Sequence, residues 1–129
     1  MSNLESALYS LITGSAGFSN LASARLYPVF IPQDIALPAA AYQVISRISF
    51  VAHDGATGIS QSRVQFDCDG TTYAAAKQLA EALVTILNGY RGDPGVLMSA
   101  RLSNMIDGYS LDPDRWTVRV DFLIVHEES

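Results

Sequence analysis

The cleanest regularity along the chain is a two-residue alternation from Arg63 to Asp69. Val64, Phe66 and Cys68 face one way there, and Arg63, Gln65, Asp67 and Asp69 face the other. Three further segments read as strands. Ala40 to Ala52 places Tyr42, Val44, Ile48 and Phe50 inward, and Val96 to Ile106 does so with Met98, Ala100, Leu102 and Ile106. The last runs from Arg115 to Val125, with Trp116, Val118, Val120, Phe122 and Ile124 on one face. Two segments have helical spacing instead. Ser2 and Glu5 form a capping box ahead of Leu4, Ala7, Leu8, Leu11 and Ile12, and Gly14 stops that helix. A longer stripe of Ala76, Leu79, Ala80, Leu83, Ile86 and Leu87 is capped by Asp69 or Thr71 and ends at Gly89. A short second helix is expected around Phe18 and Leu21. The predicted fold is α+β, a mainly antiparallel four-stranded sheet with helices packed on one face, forming a single domain over residues 1–129.

Between the helices and the first strand lies "RLYPVFIPQDIALP", with Pro28, Pro32 and Pro38. Each proline lacks an N–H donor and holds its φ, so the stretch is extended and unsuited to a central strand. A sheet edge leading into the strand after Pro38 is the expected place for Arg25 to Ile35. Residues Val51 to Ser62, with Gly55 and Gly58, read as a long, mobile hairpin connection whose His53, Asp54, Thr57, Ser60 and Gln61 offer donors and acceptors to a partner.

Composition narrows the function. Charged residues make up 16% of the chain, few for a soluble monomer, so part of the surface is a candidate for subunit contact. The net charge is −5 and Lys77 is the only lysine, so no basic run exists to grip nucleic acid. No window approaches the length of a membrane span, and the N-terminus lacks the basic flank and apolar stretch of a signal peptide, which places synthesis in the cytosol. Arg47, Arg63, Arg101 and Arg119 are expected on outward strand positions with Asp67 and Asp121 among them, either as solvated ion pairs or as a packing face.

Candidate chemistry is thin. His53-Asp54-Gly55 lies in a glycine loop with no positioned partner for a general base, and His126 stands near a terminus expected to fray. Cys68, the only cysteine, sits between two carboxylates on the apolar side, which suits packing better than a thiolate. "GSAG" lacks the lysine of a phosphate-binding loop, and Asp107, Asp112 and Asp114 lack the closing glutamate of an EF-hand. No enzyme activity, cofactor or metal is expected.

The order of "LESALYSLITG", "RLYPVFIPQ", "LPAAAYQVIS", "RVQFDCDGTTYAAAKQLAEAL" and "WTVRVDFLIVH" resembles the bacteriophage tail completion or tail terminator proteins of the gp17-like minor tail type. The resemblance covers almost the whole chain. It implies a hexameric ring that caps the head-proximal end of the tail tube, ends tube polymerisation and joins the tail to the head or neck. The implied partners are copies of itself, the tube protein and a neck or head-completion protein, with DNA at most passing through the ring and no membrane. The implied location is the virion tail or neck of a phage, prophage or gene transfer agent, assembled in the host cytoplasm. Motif positions carried over are Tyr27, Pro28, Pro32, Gln33, Pro38, Tyr42, Arg63, Gln65 and Asp67, as fold or interface positions. Expected interface residues are His53, Asp54, Thr57, Ser60 and Gln61 of the hairpin, with Tyr27, Gln33, Arg47 and Arg119. The alternatives are another neck or connector component, or a small ligand-binding regulatory domain.

Overall fold

The computed structural model describes residues 3–92, 96–111 and 114–127. Two helices open it, α1 (Asn3–Thr13) and α2 (Ala16–Ala22). The chain continues through β1 (Leu26–Pro28), β2 (Ala39–Ala52), β3 (Gly55–Gly70), α3 (Tyr73–Leu87), β4 (Tyr90–Arg91), β5 (Leu97–Leu111) and β6 (Asp114–Glu127). The architecture is α+β, but the sheet is larger than expected. Its six strands run β1-β2-β3-β6-β5-β4. The four predicted strands form its antiparallel centre. β4 pairs antiparallel with β5 at one edge. At the other edge β1 pairs parallel to β2, from Leu26 with Ala40 to Pro28 with Tyr42, so the sheet is mixed. Both edge strands are too short for alternation to reveal them. The proline stretch does begin at an edge, and Pro28 costs no ladder bond because nothing further pairs outside it.

The helices bury the stripes that define them. Leu4, Leu8 and Ile12 are buried along α1, and Ala76, Leu79, Ala80, Leu83 and Leu87 along α3. Ser2 of the expected capping box lies outside the described residues. Glu5 instead stands beside the Tyr42 phenol, whose pKa is raised by burial first and then by the charge and hydrogen bond of Glu5. The α3 cap is neither Asp69 nor Thr71. Thr72 Oγ1 accepts from the Ala75 N–H at 3.1 Å. Asp69 is engaged elsewhere, accepting from Arg115 and Thr117. Gly70 permits the tight entry to α3, since a Cβ there would stand 2.6 Å from the Ala76 nitrogen. At the far end Gly89 takes a φ of 83°, and Asn88 Oδ1 accepts from the Leu102 N–H, which ties α3 to β5.

Beneath the helices one sheet face supplies Val64, Phe66 and Cys68 from β3 and Val118, Val120, Phe122 and Ile124 from β6, all fully buried. β5 departs from its predicted alternation. Register shifts lie between Leu97 and Ser99 and between Leu102 and Asn104. Each bulge adds a residue and reverses the faces beyond it. Leu97, Ala100, Leu102 and Met105 therefore pack inward, while Met98 and Ile106, expected inside, are exposed. Both strands also run past their predicted ends at Ile106 and Arg115, since β5 and β6 pair as far as Leu111 with Asp114.

Burial pushes the Cys68 thiol pKa far above its ordinary range, helped by the charges of Asp67 and Asp69. The sign of the linkage follows. Above pH about 8.5 the unfolded chain loses this proton and the folded chain keeps it, so stability falls as pH rises. The slope from one such group is about 1.4 kcal/mol per pH unit. Between pH 9 and 10.5 the wild type should lose about 2 kcal/mol more than Cys68→Ala in urea melts. Parallel pH profiles for the two proteins would contradict this.

Candidate assembly interface

β2 and β3 run past the rest of the molecule. The β3–β6 pairing ends at Ile59 with Glu127, whereas β2 and β3 stay paired until Ala52 meets Gly55. Phe50 to Gly58 thus form a two-stranded tip closed by a turn at His53 and Asp54. The predicted long loop is instead a β-arm. Gly55, directly after the His53-Asp54 turn, takes a φ of 131° that favours glycine and lets the chain re-enter the ladder. Thr57 braces the irregular part of the ladder, donating to the Phe50 carbonyl at 2.8 Å and accepting from the Ile59 N–H at 3.2 Å. No helix covers the arm, and apolar side chains on it and at its root face solvent: Ile48 61%, Phe50 41% and Val51 74% exposed, with Ile45, 44% exposed, farther back on β2 at the bulge after Val44. A two-stranded ribbon gains little stability by itself, and exposed apolar side chains add none. Their presence on an arm is a mark of contact with another surface.

A second exposed apolar pair lies at the other end of the sheet. Val29 and Phe30 are 61% and 68% exposed. The Phe30 N–H donates to the Pro28 carbonyl at 2.8 Å across Val29, whose φ is 70°. A three-residue turn with positive central φ is the strained form, and more so at a β-branched residue. Such strain costs on the order of 1–3 kcal/mol and persists where its surroundings impose it. Here the Val29 N–H is held by the Tyr42 carbonyl at 2.8 Å. Arg25 closes the segment from below, donating to the Pro38 and Leu21 carbonyls. The result is a groove of about 580 Å³ between Val29, Phe30, Ile31 and Gln33 on one side and Ala41, Asp67, Asp69, Arg115 and Thr117 of the sheet on the other.

The helix-free face of the sheet is a web of ion pairs. Arg63 donates through Nε and Nη2 to Asp121 Oδ2, Arg119 to Asp67 at 2.8 Å, and Arg115 to Asp69 at 2.9 Å. The hydrogen bond to Asp67 raises the Arg119 pKa, and the Asp67 charge adds to that. Asp121 is 3% exposed although it faces away from the helices. Of the three, only the Arg119–Asp67 pair is exposed on both sides, and such a pair contributes up to about 1 kcal/mol. Arg101 shares this face, opposite Leu123. Arg47 does not. The bulge after Val44 brings it opposite Ser62, on the helix side of the sheet and beyond the helices.

The expected interface residues therefore fall in different places. His53 and Asp54 are exposed at the arm tip, and Gln33 is exposed on the groove wall. Tyr27 is half-buried in β1, and Gln61 is half-buried on the helix-free face. Arg47 and Arg119 are exposed on opposite faces. Thr57 is exposed with its hydroxyl engaged within the arm, and Ser60 is buried. Val29, Phe30, Ile45, Ile48 and Val51 were not among the expected residues. Ile48 and Phe50, expected inward, are exposed instead, because bulges after Val44 and Ser49 shift the faces of β2. Ile45 and Val51 stand out of phase with the predicted strand, and Val29 and Phe30 stand inside the proline stretch.

The other chemical candidates resolve into packing. His126 does not fray: it is 1% exposed in β6. Its Nδ1 donates to the Glu127 carbonyl at 2.8 Å, which leaves Nε2 to accept from the Ser62 hydroxyl at 2.7 Å. Among the described residues no three His, Cys, Asp or Glu side chains are placed to share a metal. No helix among them is long and apolar enough to cross a membrane.

The model of a family described as "Tail completion protein gp17" matches residues 6–127. No curated protein matches. Among solved structures, a chain of "Virion of native gene transfer agent (GTA) particle" superposes with a TM-score of 0.75 at 17% identity, covering 97% of this chain and 95% of that one. At that identity the likeness speaks for the fold.

Proposed function

From the premise that the chain belongs to the tail completion protein gp17 family, a family of structural tail proteins, we propose that it forms a ring at the head-proximal end of the tail tube, ends tube polymerisation and joins the tail to the head or neck. The observation that carries the ring is the pair of exposed apolar surfaces at opposite ends of one sheet, the arm and the groove. Two different patches on one subunit support head-to-tail contacts, and head-to-tail contacts close into rings when the rotation between subunits allows it. A hexamer is the proposed closure. The tube protein and a neck protein are the proposed partners, met on the two open sides of the ring within the virion tail.

Light scattering on the purified chain, alone and with its tube protein, tests this reading. The expected result is a closed oligomer of one mass that binds tube ends and stops their growth. A chain that binds a neck component but never the tube would move it to a connector role, and a monomer indifferent to both would end the ring reading.

A further inference from the structure

We infer that the β2–β3 arm of one subunit docks into the groove under Val29 and Phe30 of a second copy, so that arm-in-groove is the repeating contact. This rests on the ring reading above. Of the eleven large apolar or aromatic side chains exposed among the described residues, five lie in these two places: Val29 and Phe30, and Phe50 and Val51 on the arm with Ile48 at its root. The two places cannot meet within one molecule. Ile59, where the arm leaves the sheet, and Asp67, in the groove floor, are eight residues apart on β3, or on the order of 25 Å along a rigid strand. The arm can therefore enter only the groove of another copy.

Charge favours the same pairing. Asp67 and Asp69 in the groove are already matched by Arg119 and Arg115. Asp34 follows Gln33 of the groove wall, and Arg47 lies at the root of the arm. Both are exposed, and neither has an ion-pair partner among the described residues. They carry opposite charge on the two surfaces proposed to meet. The groove, about 580 Å³, is of the size that seats a small ligand or a few side chains. Phe30, held outward by the Val29 turn, is the aromatic anchor such a contact would use.

The test uses the whole chain with its one buried cysteine replaced, Cys68→Ala. One preparation adds Phe30→Cys and a second adds Ile48→Cys. Both positions are more than half exposed, so neither change disturbs the core. Mixed and treated with a short bis-maleimide across a concentration series, the two should give a cross-linked pair joining position 30 of one chain to position 48 of the other. In a cysteine-intact background, Arg47→Asp should weaken self-association several-fold, and adding Asp34→Arg to the same chain should restore it. An oligomer of unchanged mass with no 30–48 link would overturn the arm-in-groove contact and leave the ring standing. Links found only in open chains would support the contact and overturn the ring. Monomers without links at every concentration would overturn both.

Discussion

Replacing Phe50 to Ile59 with Asn-Gly should leave the chain folded and abolish its ability to complete tails. Ser49 already pairs with Ser60, so a two-residue turn would close the hairpin directly after that pair. The register of the remaining strands is fixed by their own packed face, with Tyr42 opposite Phe66 and Val44 opposite Val64. What is removed contributes little to the core, because Phe50 and Val51 are 41% and 74% exposed and neither packs against the buried cluster. The expected change in stability is therefore within about 0.5 kcal/mol, as for other surface changes. Far-UV circular dichroism should lose only the arm's share of strand signal. The functional loss should be complete, read by electron microscopy as overlong tubes or tails without heads. Tails of normal length joined to heads would show that the arm is dispensable.

The arm also shows where the sequence was legible and where it was not. The elements that bury a face were visible, because burial enforces a period. The stripe of α3 and the alternation of β3 and β6 follow the inward residues they predict, and Val64, Phe66, Val118, Val120 and Phe122 are all buried. Residues 51–62 read as a loop because the tip before Ile59 pairs only with β2, and the buried positions that follow, Ser60 and Ser62, are polar, so no apolar alternation marks the strand. Glycines at 55 and 58 then read as loop, although both take positive φ inside a paired strand, Gly55 directly after the His53-Asp54 turn. Ile106 and Arg47 were placed on the wrong faces for one reason: a bulge inserts a single residue and carries no compositional mark of its own. The groove was half legible. The prolines marked an edge, but the exposure of Phe30 depends on the positive φ of Val29, and nothing in a valine announces that conformation.

Phe122→Ala should be among the most destabilising single changes in the molecule, without touching either apolar contact surface. Phe122 is fully buried, sits opposite Val64 on β3 and Leu102 on β5, and meets the Phe66 ring edge-on at 5.8 Å and 81°. Truncating it loses the transfer energy of the ring and leaves a cavity that the two flanking strands cannot close, a cost of about 3–5 kcal/mol. The lost ring pair adds about 0.5–1.5 kcal/mol beyond area. Against a total stability of roughly 5–15 kcal/mol for a domain of this kind, that is a large share. The urea midpoint should fall steeply with an unchanged slope, since the surface exposed on unfolding hardly changes. Phe122→Leu keeps most of the volume and should cost less than about 1.5 kcal/mol. A loss under about 1 kcal/mol for the alanine variant would mean that the helices do not clamp this row of the sheet. Because Phe122 reaches neither the arm nor the groove, its folded fraction should still assemble at room temperature. On the proposed contact, the two variants should fail in opposite ways: the arm-shortened chain should fold without assembling, whereas Phe122→Ala should assemble for as long as it stays folded.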